Sequence, residues 1–221
     1  MKKLRIRSIF GSIDGEVNKF GQGSLTVFVR FAGCNLRCKF GEETCDTPYA
    51  LDAKSANLMC LDDVIEKVES FSIKKLTITG GEPLLTYDEL WTLAYYFYQK
   101  NYQISIETNG SLSPQGLSQY ANIVMDYKLP SSGEEEKMNL DFWSKLDEGD
   151  IIKFVCLDGY DFARAVQLYN LNTNKNLVFA FSPVYGQLDP ILLLKWMREA
   201  NLPRAILSVQ LHKILGLVEP N

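Results

Sequence analysis

The sequence predicts an α/β protein whose parallel strands form an incomplete TIM-type barrel of about six βα units, short of the eight that close a full barrel. Three observations carry that expectation. Short apolar runs rich in β-branched residues alternate with stretches of helical apolar spacing. Polar or glycine-rich clusters follow the carboxyl ends of successive runs, the rim on which parallel α/β proteins bind ligands. The 221 residues, 46% of them apolar, suffice for one sizeable core, read as a single domain over residues 1–221.

Taken along the chain, the first run is 25–31, Leu-Thr-Val-Phe-Val-Arg-Phe, of strand length and ending just before a cysteine-rich segment. A helical pattern at 61–71 leads to a strand at 75–79, and a helix at 87–99 leads to a strand at 103–107. The next pairs are a helix at 114–120 with a strand at 123–126, a helix at 140–146 with a strand at 151–155, and a helix at 160–169 with a strand at 177–181. The last helix, 190–200, has Asp189 placed to cap it and Pro190 at its first position, where the missing N–H has no partner to lose. A final run at 205–210 completes the series. Such alternation implies right-handed crossovers between buried parallel strands. Residues 41–44 and 131–137 are polar and turn-rich, and read as rim loops or a mobile cover.

Composition excludes several function classes. A net charge of -4 with scattered basic residues leaves no footprint for nucleic acid. No run approaches the roughly 18 apolar residues of a membrane span, and the basic start lacks a signal peptide's apolar stretch, so a cytoplasmic protein is expected.

Five cysteines are an odd count, and in a reducing compartment clustered thiols serve as metal ligands more often than as disulfides. Cys34, Cys38 and Cys45 lie together, spaced Cys-x3-Cys-x6-Cys within a loop read as 33–50. Three soft thiolates suit an iron–sulfur cube with one iron left open for another ligand. The competing reading is a zinc knuckle completed by Cys60 or His212. Cys156, inside the apolar run 151–157, reads as packing. The turn Thr79-Gly80-Gly81-Glu82-Pro83 ends another run, where bare backbone can approach a ligand. Carboxylates and amines at further strand ends, Glu107, Asp126 and Lys128, converge on the same rim.

Read together, these segments resemble one family. The opening Ile9-Phe-Gly-Ser-Ile-Asp-Gly-Glu16, the strand Thr26 to Cys34, Cys45-Asp-Thr47, the Gly-Gly-Glu turn, Glu107-Thr-Asn-Gly110, Asp126-Tyr-Lys-Leu-Pro-Ser-Ser132 and Gln210-Leu-His-Lys213 are similar to the 7-carboxy-7-deazaguanine synthases, within the radical S-adenosylmethionine (SAM) superfamily. The resemblance covers most of the chain and implies a radical SAM core. It implies a lyase that converts 6-carboxy-5,6,7,8-tetrahydropterin to 7-carboxy-7-deazaguanine with release of ammonia, in queuosine-type 7-deazapurine biosynthesis. It also implies a 4Fe-4S cluster, SAM, Mg2+, an electron donor such as flavodoxin or ferredoxin, and a homodimer.

Residue by residue, the resemblance gives Cys34, Cys38 and Cys45 to the cluster and Thr47 to Mg2+. Ile13, Asp14, Gly15, Arg30, Thr79, Glu107 and Pro220 fall to the pterin, while Phe40, Gly81, Glu82, Asp126, Tyr127, Lys128 and Ser131 fall to SAM. No side chain is assigned as acid or base, and the lone His212 reads as a structural hydrogen-bonder. The chain departs from the family pattern in two places near the site. Asp14 stands where glutamine is common, and residues 41–44 are inserted between Phe40 and Cys45, where a small bulge is expected to return Cys45 to the cluster. Two further readings remain: an activase that installs a glycyl radical on a partner protein, and a metal-binding module without catalysis.

Overall fold

Among the described residues nine strands form one sheet in the order β11-β10-β9-β8-β7-β6-β2-β1-β5, which runs across the molecule without reversing direction until it reaches β1. The computed structural model describes residues 3–41, 43–172 and 176–217. The strands are β1 (Leu4–Ile13), β2 (Leu25–Phe31), β5 (Asn57–Met59), β6 (Lys75–Gly80), β7 (Gln103–Thr108), β8 (Asn122–Tyr127), β9 (Ile151–Cys156), β10 (Val178–Pro183) and β11 (Ala205–Leu207). A separate two-stranded ribbon joins β3 (Lys39–Phe40) to β4 (Glu43–Thr44). The helices are α1 (Leu61–Glu69), α2 (Tyr87–Gln99), α3 (Gly159–Leu171), α4 (Pro190–Glu199) and the short α5 (Leu211–Ile214).

Strands β2 and β6 to β11 pair in parallel, as the sequence predicts. Because their order is sequential, right-handed crossovers place every connection on one face and leave the other concave, the geometry of a barrel that has not closed. Among the described residues β11 and β5 share no ladder, so the sheet stays open.

The antiparallel strands β1 and β5 at one edge are absent from the sequence reading. The alternating Arg5 and Arg7 of β1 hide its strand character among charges. Two expected helices are only 3-10 turns, Leu117–Gln119 and Leu140–Lys145. Gly116, with φ of 84°, interrupts the first of these before a helical turn can build. The run at 205–210 leaves the sheet after Leu207, where Ser208 makes a last backbone bond to Phe181 and Gln210 begins α5.

The convex face carries the core. Residues Leu90, Leu93, Ala94 and Phe97 form one stripe of α2 and are buried with Ile78, Ile104 and Ile106 of the sheet. Each such leucine, isoleucine or phenylalanine side chain removed from water contributes about 1.5–3 kcal/mol before chain entropy is counted. Strand alternation sends the neighbouring residues to the concave face: Thr26 and Arg30, Lys75, Thr77 and Thr79, Ser105 and Glu107, Asn122 and Asp126, then Lys153. The strands therefore have a dry face and a polar face, rather than the doubly apolar character the sequence runs suggest.

Residues 14–24, between β1 and β2, fill the amino end of this concavity. Lys75 meets Asp14 at 2.6 Å, Thr77 Oγ1 donates to Asp14 Oδ1 at 2.7 Å, and Lys19 N donates to Asn122 Oδ1 at 2.9 Å. The carboxyl end of the same face carries Arg30, Thr79, Glu107 and Asp126, which line the rim hollow that this curvature implies.

Candidate active site

The cysteine loop leaves β2 and returns to the rim through a hairpin. Lys39 pairs with Thr44 and Phe40 with Glu43, and Cys45 N donates to Cys38 O at 3.2 Å. Lys39–Phe40 and Glu43–Thr44 thus form a short β ribbon rather than a bulge, and its ladder continues to the cysteines. Directly opposed residues of an antiparallel pair face the same side, so the ribbon presents the Cys38 and Cys45 thiols together. Cys34 N donates to Leu51 O at 3.1 Å, which ties the first cysteine to the far end of the same loop.

The Cys34 and Cys38 thiols resist ionisation on their own. Burial pushes Cys38 up to about 11 against the pull of Lys128, and burial also raises Cys34 despite N–H donors from Leu36 and Asn109. A cationic iron–sulfur centre would reverse that balance by binding the thiolates, so the donor set fits such a cluster. The zinc alternative loses its fourth ligand: the Cys60 thiol accepts from Asp63 N at the start of α1, and His212 rests on Gly15. Among the described residues no three His, Cys, Asp or Glu side chains close around a single ion.

The Gly-Gly turn packs on this loop backbone to backbone. Gly81 N donates to Phe31 O at 3.0 Å, Glu82 N to Gly33 O at 2.8 Å, and Gly33 N to Ala50 O at 2.8 Å. A Cβ on Gly81 would lie 2.2 Å from Gly33 O. Glycine is needed there for space.

Glu82, expected at SAM, is held by donors of the protein itself. Its Oε1 accepts from Leu84 N and Thr108 Oγ1, both at 2.9 Å, and its Oε2 accepts from Asn109 N at 2.6 Å. It clasps the end of β6 to the end of β7. Burial raises its carboxyl to about 7 in spite of those three donors. A carboxyl raised on folding holds its proton better when folded, so its stabilising effect is complete below about 4.5 and is lost as pH rises through about 7. For the cluster-free chain, urea unfolding should show stability falling by on the order of 3 kcal/mol over that window for this group alone. Glu107 is raised to a similar value, so Glu82→Gln should make the slope shallower without abolishing it; an unchanged slope would refute the assignment.

Across the rim, Arg30 of β2 is in register with Thr79 of β6, and Thr79 hydrogen-bonds Glu107 of β7. Arg30 is buried, its guanidinium 5.8 Å from the Tyr49 ring centroid, with Arg7 over the same ring at 5.6 Å. Burial and the nearby Glu16 charge push Glu107 up to about 7, against Lys153. Asp126 and Lys153 are neighbours in register; Lys153 pairs with Glu16 and lies 3.4 Å from Asp126, which also meets Lys128 at 2.9 Å. Burial works against the charged form of Lys153, yet the surrounding carboxylates hold it protonated. Gln210 Nε2 reaches Glu16 at 2.8 Å and Asp46 at 3.2 Å, and Lys213 meets Asp46 at 3.0 Å, so α5 is fastened to the cysteine loop.

Several residues expected at the ligands make contacts within the protein. Tyr127 faces the convex core against Trp143 and Phe154, because strand alternation turns it away from Asp126 and Lys128. It offers the hollow backbone only. Asp14 is buried against Lys75 and Thr77, and its backbone bonds Ser24 and Gly23, so it builds the floor of the hollow. Gly15 O accepts from Leu211 N and Gln22 Nε2, both at 2.8 Å, and the His212 ring occupies the space a side chain would need. Ser131 N donates to Asp161 Oδ1 at 3.0 Å, which anchors the rim loop to α3. Ile13 ends β1 opposite Leu25, and Phe40 O accepts from Gln187 Nε2 at 3.1 Å. Pro220 lies outside the described residues.

Thr47 occupies the N-cap position of a 3-10 turn yet makes no capping bond; its hydroxyl lies 3.4 Å from Cys45 Sγ. Among the described residues, Asp126 Oδ1 is buried with no hydrogen-bond partner, an acceptor that suits a ligand hydroxyl or amine. Glu16, Lys153, Tyr49 and Asn109 are site residues that the sequence reading passed over. A signal existed for Lys153, a single charge inside the apolar strand Ile151–Cys156.

A mostly parallel sheet whose carboxyl rim packs a three-cysteine loop against a Gly-Gly-Glu turn has the arrangement of the radical SAM class of enzymes. Comparison with known proteins agrees. A family model described as a 4Fe-4S single cluster domain matches residues 20–143. The 7-carboxy-7-deazaguanine synthase of Clostridium acetobutylicum is 35% identical over 213 residues, covering 93% of each chain. That of Methanospirillum hungatei is 36% identical over 214 residues, covering 97% of this chain and 86% of the relative. Among solved structures, QueE from Escherichia coli superposes with a TM-score of 0.73 at 20% identity, covering 94% of both chains. Streptococcus suis SuiB bound to S-adenosylmethionine shares the fold over 88% of this chain and 53% of that one, with a TM-score of 0.54 at 14% identity. The chain belongs to the 7-carboxy-7-deazaguanine synthase family.

Proposed function

We propose that this enzyme converts 6-carboxy-5,6,7,8-tetrahydropterin to 7-carboxy-7-deazaguanine with release of ammonia, acting as one catalytic unit over residues 1–221. The observation that carries the reading, beside family membership, is the belt Arg30, Thr79 and Glu107 on adjacent strands, immediately next to the Gly-Gly turn and the cysteine loop. When bound, the cluster and SAM supply a 5'-deoxyadenosyl radical able to take the hydrogen from C6 of the pterin.

The chain's own residues bind, orient and shield. Arg30, stacked on Tyr49, offers a planar fork to the substrate carboxylate. Glu107, fixed by Thr79 and near neutrality in its ionisation, suits the guanidine-like edge of the pterin, gripping it as the anion. Lys153 holds Glu16 and Asp126 in place between substrate and SAM subsites, and Asp126 Oδ1 is available to the SAM ribose or amine. Gly81 and the Cys38–Cys45 ribbon bring backbone close to the SAM position, with Phe40 beside it. The Thr47 hydroxyl, not engaged in capping, would hold Mg2+ together with the substrate carboxylate and water.

A cytoplasmic setting, with flavodoxin or ferredoxin as electron donor, follows the same reading. A homodimer also belongs to it, supported by exposed Ile206 on the edge strand β11 and exposed Ile214 and Leu215 of the adjoining segment. The test is anaerobic reconstitution with iron and sulfide, then incubation with SAM, Mg2+, reductant and the carboxytetrahydropterin, with products resolved by mass spectrometry. 7-Carboxy-7-deazaguanine at catalytic yield is expected, and its rate should fall when Mg2+ is chelated. Cleavage of SAM without conversion of the pterin would favour the activase reading, and no cleavage at all would favour a binding module.

A further inference from the structure

We infer that Asn109 is a positioning residue for the cluster, its side-chain amide donating an N–H to Cys34 Sγ and so raising the cluster's reduction potential. The inference rests on the proposed role of Cys34, Cys38 and Cys45 as cluster ligands. Asn109 Nδ2 lies 3.5 Å from Cys34 Sγ and 3.1 Å from Asn35 Oδ1, which engages both of its hydrogens.

The direction of the amide is fixed by its neighbours. Its Oδ1 accepts from Ser111 N at 3.0 Å and from Ser111 Oγ at 2.6 Å. A backbone N–H can only donate, so the carbonyl oxygen must face Ser111 and the NH2 group must face the thiol. Behind the side chain, Asn109 N is held by Glu82 Oε2 at 2.6 Å, and the residue is 8% exposed. Turning the donor away would leave buried polar groups without partners.

Among the described residues this is the one side-chain amide on any of the three thiols. Cys34 also accepts from Leu36 N at 3.4 Å, whereas the Cys45 contact is the Thr47 hydroxyl. A reduced cluster carries more negative charge, part of it on the thiolate sulfurs, so an N–H donor stabilises that state more than the oxidised one. Removing the donor must make the cluster harder to reduce.

The experiment compares the reconstituted full chain with Asn109→Leu, of similar volume but without a donor, and with Ser111→Ala, which only loosens the orientation of the amide. Iron and sulfide content is measured first, then the midpoint by potentiometric titration followed by electron paramagnetic resonance. Asn109→Leu should hold about tenfold less reduced cluster at a given poise, a shift of about 59 mV to more negative potential for a one-electron couple. Ser111→Ala should move the same way by less. A fully loaded Asn109→Leu protein with the wild-type midpoint overturns the inference. Should that variant fail to load, wild-type protein labelled with 15N-asparagine decides the matter: an isotope-dependent hyperfine coupling to the reduced cluster supports the bond, and its absence overturns it. A wild-type chain that takes up no cluster overturns the functional reading, and this inference with it.

Discussion

Replacing Cys45 with Ala should leave the chain folded but unable to retain a four-iron cluster or cleave SAM. The ribbon that carries Cys45 is held by backbone bonds, including Cys45 N to Cys38 O, and none of them needs the thiol. Cys45 itself is only partly buried, so its loss opens no core cavity. The lost ligand has no substitute: Cys60 caps α1, Cys156 is fully buried on the convex side, and His212 lies on Gly15. Losing a partner that only orients a metal ligand costs roughly 10–100-fold, so losing the ligand itself should cost more than about 100-fold in SAM cleavage. Circular dichroism and melting of the cluster-free protein should match the wild type. Iron content, sulfide content and 5'-deoxyadenosine formation are the readouts, and a variant that keeps four irons and cleaves SAM would remove Cys45 from the site.

Gly81→Ala should be a severely damaging single-methyl addition on the rim. Its Cβ would sit 2.2 Å from Gly33 O, 2.6 Å from Gly33 C and 2.7 Å from Ala50 O. All three are backbone atoms, and they are bound to each other and to Glu82 N, so no flexible side chain can yield. The clash must part the cysteine loop from β6 or shift both. Overpacking of this kind costs on the order of 3 kcal/mol. In a chain of this size that corresponds to a fall in melting temperature of roughly 6–12 °C. SAM cleavage should fall as well, since the same displacement moves Cys34 away from the turn. A melting temperature within about 2 °C of wild type, with activity retained, would show that the two backbones can separate cheaply.

The scaffold and the candidate metal ligands were readable because both are written in local spacing. Strand-length apolar runs predicted β2 and β6 to β10 closely, and the cysteine cluster needed only its composition. The site's polar lining was harder to read, since an apolar run looks the same whether one or both faces are dry. Tyr127 and Asp126 are adjacent in a matching motif, yet one residue of strand alternation sends the first into the core and the second to the hollow. The burial of the Asp14 side chain was not legible, because nothing nearby in sequence announces Lys75, its partner. Glu16 and Lys153 are separated by 137 positions, and only the closed fold makes them a pair.

The β3–β4 ribbon sets a rule for how this loop can vary in length. Opposed positions on two antiparallel arms stay opposed only if both arms grow or shrink together, so tolerated changes along the arms come as matched additions, one residue to each side. A single extra residue in one arm would slide the ladder by one step and rotate Cys45 to the reverse side of its strand, away from Cys38. The loop is thus an adjustable spacer with a parity condition, and relatives built on the same ribbon should differ here by even numbers of residues.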